Sequence, residues 1–198
     1  MQAIFETLIN SFVENGVGIA DNFLSRQLAG DLKNNLVRLS ESGQMQPAGT
    51  GNRQLVSHDK TVRSDLIYWL DKKHNDVHEN AFFVLMDALI LHLNSSCYTG
   101  INGYEFHYAL YETGSFYKKH IDQFRNNSGR QYSMIIYLNT DWVAGDGGQL
   151  SIHHAGKASQ EIDPVGGKTV FFKSSEVEHE VLVANKPRMS ITGWLKRD

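Results

Sequence analysis

The chain has a single cysteine, Cys97, among its 198 residues. That excludes an internal disulfide and points to a reducing compartment. No continuous apolar run comes near the roughly 20 residues needed to span a bilayer, so no membrane anchor is expected. The opening residues, MQAIFETLIN, carry Glu6 and lack a basic stretch, so no secretory signal peptide is expected. Charge of one sign is also scarce. The formal net charge is −3, which argues against generalised nucleic-acid binding. Internal repeats and low-complexity tracts are absent. The composition, 41% apolar and 21% charged, is that of an ordinary globular protein, and the length suits one domain with a sizeable core better than two. The expectation is one domain over residues 1–198, cytoplasmic, with neither nucleic acid nor membrane as partner and an oligomeric state that the sequence leaves open.

The first half is helix-rich. Ile4, Phe5, Leu8, Ile9 and Phe12 recur at helical spacing up to Asn15-Gly16. GVGIADNF then reads as a short strand. Ser25 sits where an N-cap would, ahead of Leu28, Leu32, Leu36 and Leu39, with Gly43 as the stop. A third helix is predicted from about Asp76 to Asn94. Asp76 and Glu79 resemble a capping box, and Phe82, Phe83, Leu85, Met86, Leu89, Ile90 and Leu93 give a wide apolar face. Between these helices, QPAGTGNRQLVSHDKTVRSD has little apolar pattern and reads as a functional or disordered loop.

From residue 104 the period changes. EFHYALYE, SFYKKHID, QYSMIIYL, GQLSIHH, QEID, KTVFFK, HEVLVA and RMSITGWL read as short strands separated by Gly-, Asn- and Asp-rich turns. Strands at this spacing suggest a barrel or jelly roll. The fold class is therefore α+β, with supporting N-terminal helices on a later antiparallel double sheet.

Successive strand residues alternate faces, so in SFYKKHID the side chains of His120 and Asp122 project together, with Lys118 beside them. On its own this pattern is usually a solvated strand. A third ligand from another strand would change that. His153 and His154 read as solvent-exposed in an edge loop. His58, His74 and His78 fall in polar stretches, and His92 and His107 read as satisfied core or interface histidines. His179 stands at the mouth of the HEVLVA strand, after the acidic SSEVE turn. Two histidines and a carboxylate suit a non-haem Fe(II) site with open positions, although zinc accepts the same donors. Nine residues after His179, Arg188 opens a strand on which it shares a face with Ser190, Thr192 and Trp194. An inward arginine needs a carboxylate, and none lies on that face, so either Arg188 is exposed or its partner is a ligand. Tyr137, on a neighbouring strand, could add a phenolic hydroxyl to the same anion.

His120-x-Asp122, His179 and Arg188 in this order resemble the Fe(II)- and 2-oxoglutarate-dependent dioxygenases, and among them the prolyl 4-hydroxylases, in particular the intracellular oxygen-sensing enzymes and their bacterial relatives. YETGSFYKKHID, IIYLNTDW, GDGGQLSI, VFFKS, HEV and RMSITGWL follow the family's order. GQMQPAGTGNRQLVSHDKTVRSDLIYWL is similar to the loop and following strand that close over substrate. The resemblance implies a double-stranded β-helix (jelly-roll) core over residues 104–198, supported by residues 1–103. It implies His120, Asp122 and His179 as iron ligands, and Arg188, Tyr137, Tyr111 and Thr192 around 2-oxoglutarate. Leu150 and Trp194 would line the pocket. Arg63, Asp65, Arg130 and Trp194 would face the substrate, with an Asp65–Arg130 pair fastening the loop at residues 44–65. The segment from Tyr111 to His120 is one residue shorter than in the animal oxygen sensors and lacks their Pro-Gly.

The implied activity is hydroxylation of a prolyl residue in an intracellular protein, a translation elongation factor being one such target of bacterial relatives. Fe(II), 2-oxoglutarate and O2 take part, ascorbate would be the reductant, and succinate and CO2 are co-products. The same chemistry on a small molecule or another peptide residue is the alternative. A non-catalytic metal-binding module is a further one.

Overall fold

The structure, a computed structural model, describes residues 2–49, 59–123, 128–154, 156 and 158–197. His58 and the central part of the expected substrate loop lie outside the described residues. Three helices precede the main strands. α1 (Gln2–Asn15) stops at Gly16, whose φ of 74° is left-handed. α2 (Arg26–Glu41) starts at Ser25, whose side chain accepts a bond from the Leu28 N–H. α3 (Val77–Cys97) starts at Asp76, which accepts from the His78 and Glu79 N–H groups. Only half of the expected capping box forms. The Glu79 carboxylate does not turn back to the cap but meets His74 Nδ1 at 3.0 Å, because a 3₁₀ turn at Lys72–His74 brings that imidazole alongside.

All eight strands expected from residue 104 form, the strand expected in GVGIADNF forms as β1, and two more lie among the helices. β1 (Val17–Ala20), β2 (Gln46–Pro47) and β3 (Leu66–Trp69) join β4 (Gly103–Tyr111), β6 (Arg130–Tyr137), β9 (Thr169–Lys173) and β11 (Arg188–Lys196) in a seven-stranded antiparallel sheet ordered β1-β9-β6-β11-β4-β3-β2. β5 (Tyr117–His120), β7 (Leu150–His153), β8 (Gln160–Ile162) and β10 (Glu178–Val181) form a second sheet ordered β5-β10-β7-β8. The jelly-roll expectation therefore holds.

The strand registers sort the major sheet's side chains into two cores. Phe106, Tyr108, Leu110, Met134, Ile136, Leu138, Phe171, Ile191 and Leu195 face the helices and pack with Leu32, Leu36, Phe82, Met86 and Leu89. Ala109, Tyr111, Ile135, Tyr137, Val170 and Phe172 face the minor sheet and meet Leu150, Ile152, Ile162 and Val181. Burial on both faces explains why QYSMIIYL and KTVFFK are nearly continuous apolar runs. By length and composition α3 is apolar enough to cross a membrane, although Glu79, Asp87 and His92 interrupt it and it holds no continuous apolar run of that length. Its Phe82, Phe83, Met86, Leu89 and Leu93 are instead packed in the core.

Candidate functional site

The strand pairing of the minor sheet brings the distant histidines together. β5 and β10 run antiparallel with His120 opposite His179, and the two rings lie 4.3 Å apart. Asp122 falls just past the end of β5, yet its carboxylate reaches both. Oδ1 is 3.4 Å from His120 Nε2, and Oδ2 is 3.7 Å from His179 Nε2. One ligand atom from each of the three lies within 4.8 Å of the others. Each imidazole donates its Nδ1–H to the backbone carbonyl two residues earlier, His120 to Lys118 at 2.7 Å and His179 to Val177 at 3.0 Å. Those bonds fix the tautomer and turn both Nε2 lone pairs toward the carboxylate. Tyr117 stacks on His120 at 3.6 Å and Phe172 meets His179 edge-on at 4.8 Å, which holds the rings in place.

The third donor is braced from the major sheet. Ser133, on β6, donates to Asp122 Oδ2 at 2.6 Å and touches the Ser174 hydroxyl at 2.9 Å. Burial alone would raise the Asp122 pKa. The facing His179 and His120 and the hydrogen bond from Ser133 outweigh it and hold the carboxyl well below its usual range. Burial also holds His179 below the usual imidazole range, against the opposing pull of Asp122. The donors are thus an anionic carboxylate and a neutral, pre-oriented imidazole beside a second imidazole, a set that fits a divalent iron ion.

Across from the metal set, on β11 of the major sheet, Arg188 forms a second group. Arg188 is 1% exposed, so the water-exposed alternative does not apply. Its Nε–H donates to the Gly148 carbonyl at 2.9 Å, and its guanidinium stands over the rings of Tyr111 and Tyr137 at 4.8 and 5.0 Å. No carboxylate pairs with it among the described residues. The Tyr137 hydroxyl is buried without a partner. Burial raises its pKa, opposed by Arg188, so it stays a neutral donor. Gly148 makes room for the arginine. It takes a φ of +65°, and a Cβ there would lie 3.0 Å from Arg188 Cδ. Ser190 and Thr192 join hydroxyls at 3.2 Å on the strand between this site and Trp194, and Leu150 is fully buried on the opposite sheet.

The expected Asp65–Arg130 pair does not form. Asp65, 1% exposed, takes a two-bond clasp from Arg63 at 2.8 and 2.6 Å. Arg63 and Asp65 are two residues apart on an extended segment and so share a side, with the guanidinium 4.2 Å over Tyr117. Arg130 instead bonds Glu105 Oε1 at 3.0 and 2.9 Å and lies 3.3 Å over the Trp194 ring. His153 is also not the exposed residue expected. It belongs to β7, opposite Glu178 of β10, and is half-buried between Glu180 at 2.9 Å and Ser159 at 3.0 Å. His154 is half-buried as well. Lys118 is exposed and takes part through its backbone, the carbonyl accepting from His120 Nδ1 and the N–H bonded to the Val62 carbonyl.

His107 was expected to be satisfied and is not. It is 3% exposed, its Nδ1 has no hydrogen-bond partner, and its ring sits between Trp69 at 4.9 Å and Trp194 at 5.6 Å. It pairs in register with Thr192 and Trp69, so it shares the pocket-facing side with Arg188, Thr192 and Trp194. Trp194 Nε1 is likewise buried without a partner. In FHYAL, apolar neighbours on both sides hide which face His107 takes. Ser133 was missed for the same reason.

Residues 106–196 match the family described as the 2OG-Fe(II) oxygenase superfamily. The chain is 30% identical over 205 residues to human "Egl nine homolog 1", covering 98% of this chain and 47% of that protein. It spans between 28% and 59% of the length of such curated relatives. Among solved structures, a Pseudomonas putida prolyl-4-hydroxylase aligns at a TM-score of 0.87 and 33% identity, over 98% of this chain and 99% of that one. A Trichoplax adhaerens prolyl hydroxylase, solved with a hypoxia-inducible-factor peptide, aligns at 0.85 and 26% identity over 98% and 90%. With this coverage of a relative of its own size, the chain belongs to the prolyl hydroxylase family of 2OG-Fe(II) oxygenases.

Proposed function

We propose that the chain is a 2-oxoglutarate- and Fe(II)-dependent dioxygenase that hydroxylates a prolyl residue of a protein or peptide. The observation that carries this reading is the pairing of two sites between the same two sheets. A three-donor metal set lies at one end, and a buried arginine without a carboxylate lies beside an unpartnered tyrosine hydroxyl at the other. His120, Asp122 and His179 would hold the iron. Arg188, whose fork suits a carboxylate, and Tyr137 would bind the far carboxylate of 2-oxoglutarate, with Tyr111 and Thr192 along its length. When bound, iron and 2-oxoglutarate supply the oxidising power of O2 for the hydroxylation, with succinate and CO2 released.

The chain's own residues orient and enclose. The Lys118 and Val177 carbonyls hold both imidazoles aimed, and Ser133 fixes the carboxylate. Arg63, Asp65, Arg130, Trp69, His107 and Trp194 would form the wall met by the peptide, and a relative has been solved with a peptide bound. The clasp of Arg63 on Asp65, with its further bond to the Gly49 carbonyl at 3.3 Å, would anchor the base of the loop that closes over substrate. We take the whole chain to act as one unit, in the cytoplasm, with ascorbate as the reductant that maintains Fe(II) and an elongation factor as the first protein to try.

The test is incubation with Fe(II), 2-oxoglutarate, ascorbate and a panel of proline-containing peptides and elongation factor. Succinate release matched by the mass gain of one oxygen atom on a proline is expected. Succinate formed with oxidation of a small molecule, and of no proline in the panel, would reassign the substrate. Absence of 2-oxoglutarate binding would end the enzyme reading.

A further inference from the structure

The outer surface of α3 carries a pattern that the pocket does not use. Ten large apolar side chains stand exposed among the described residues, and six of them are scattered. The other four, Val77, Val84, Leu91 and Tyr98, are 69, 65, 72 and 88% exposed. They fall at seven-residue intervals along α3 and its C-cap. Four residues after each of the first three come Ala81, Ala88 and Ser95, of which Ala81 and Ser95 are exposed and Ala88 is half-buried with one side against the core. Alternating steps of four and three residues mark the seam of a left-handed helix pair, and the small residues at every second contact let two backbones approach closely. The core-facing residues Phe82, Met86, Leu89 and Leu93 are on the opposite side. A helix apolar on both sides is expected to be covered on both. Single exposed apolar residues need no explanation, but a continuous line of them marks a contact surface.

We propose that this stripe pairs with the same stripe of a second copy of the chain, α3 antiparallel to α3 across a twofold axis. The register is self-complementary. With Ala88 meeting its own counterpart at the axis, Val84 lies opposite Leu91, Val77 opposite Tyr98 and Ala81 opposite Ser95. Charge permits it. Asp87, at the edge of the stripe, is neutralised by Lys72 at 3.3 Å and bonded by the Tyr104 hydroxyl at 2.8 Å. α3 contains no lysine or arginine, so it lacks the cations with which a surface helix engages anionic lipid. Area sets the strength. Full burial of a Val or Leu side chain removes roughly 60–120 Å² from water, and of an aromatic one roughly 150–250 Å². At these exposures the stripe offers roughly 300–500 Å² per copy, well under the roughly 800 Å² per partner of a stable interface and in the range of weak, transient ones. That size fits a reversible dimer with a dissociation constant on the order of 10–100 µM. The inference is independent of the catalytic reading.

Sedimentation equilibrium of the full chain from roughly 1 to 500 µM should show a monomer–dimer equilibrium. Val84→Glu, at an exposed position, should leave circular dichroism and thermal unfolding unchanged and weaken dimerisation at least about tenfold. Cross-linking in a Cys97→Ser background reads the geometry. Ala88→Cys should form a covalent dimer by itself. Ala81→Cys should not, but should cross-link when mixed with Ser95→Cys. Self-cross-linking of Ala81→Cys to the same extent as Ala88→Cys would mark a parallel pair and overturn the antiparallel arrangement. A wild type that stays monomeric throughout, or a folded Val84→Glu variant that dimerises as well as wild type, would overturn the interface.

Discussion

The two faces of the major sheet are built from the same strands and obey opposite rules. Toward the helices, β4, β6, β9 and β11 present Phe106, Tyr108, Leu110, Met134, Ile136, Phe171, Ile191 and Leu195, which are buried and, Tyr108 apart, carry no side-chain polar atom. Toward the minor sheet, alternate residues of those strands present His107, Tyr111, Ser133, Tyr137, Arg188, Ser190, Thr192 and Trp194. Three of these, His107, Tyr137 and Trp194, hold a buried nitrogen or hydroxyl without a partner, against two hydroxyls, Tyr108 and Thr169, on the helix side. An unsatisfied buried group costs about 1–3 kcal/mol. The outer face therefore stabilises the sheet, and the inner face gives up part of that stability to keep groups available for ligands.

Substitutions on the two faces should accordingly separate function from stability. The largest effect is expected at the metal set. Asp122→Ala removes the anionic donor that both imidazoles face, and should reduce 2-oxoglutarate turnover to background and abolish Mn(II) binding in calorimetry. Its apo form should stay folded, and retained stoichiometric metal binding would contradict the assigned ligand. Next comes the outer face. Phe106, 1% exposed and edge-on to Phe82 at 5.0 Å, should cost about 3–5 kcal/mol of unfolding free energy as Phe106→Ala, with catalytic constants unchanged at a temperature where the variant is folded. Arg188→Met inverts that result. It should raise the 2-oxoglutarate concentration for half-maximal rate by about 100-fold, as for loss of a charge-assisted pair. Without cosubstrate its stability should equal or exceed that of the wild type, because an unpaired buried cation has been replaced by an apolar chain. A destabilised Arg188→Met apoprotein would show that the arginine is structural.

How much of this was legible in the sequence follows from the range of each interaction. The strands were readable because Gly, Asn and Asp mark their turns, and the metal set because His120 and Asp122 are neighbours and Arg188 has no acid on its face. Pairings across strands were not. Arg130 sits on Trp194 and Glu105 because β6 and β4 flank β11 with Ser133 and Glu105 both opposite Trp194, a register that no local pattern encodes. The Arg63–Asp65 clasp, by contrast, was within reach, since two residues on an extended segment share a side. The seam on α3 was also present in the sequence, but the apolar face read there, Phe82 to Leu93, leaves out Val77, Val84 and Leu91, whose shared exposure only the fold shows.

The smallest effect lies at His107, where the inner face's penalty can be read as a pH dependence. Burial, with added repulsion from Arg63 and Arg130, pushes the His107 pKa down to about 3, whereas in the unfolded chain it is about 6.5. Between those values the unfolded state binds the additional proton, so unfolding is favoured as pH falls. The stability gained by keeping His107 neutral is complete above about pH 6.5 and is lost progressively as pH falls toward 3. His107→Met has no such proton to bind. From pH 6.5 to pH 5 the wild type should therefore lose about 1–2 kcal/mol more than the variant in urea unfolding. The variant should also bind the peptide less tightly while its affinity for 2-oxoglutarate is unchanged, because His107 faces the tryptophan wall and not Arg188. Parallel stability profiles for the two proteins would show that His107 already finds a partner in the folded state, and the inner face would then hold one fewer group in reserve.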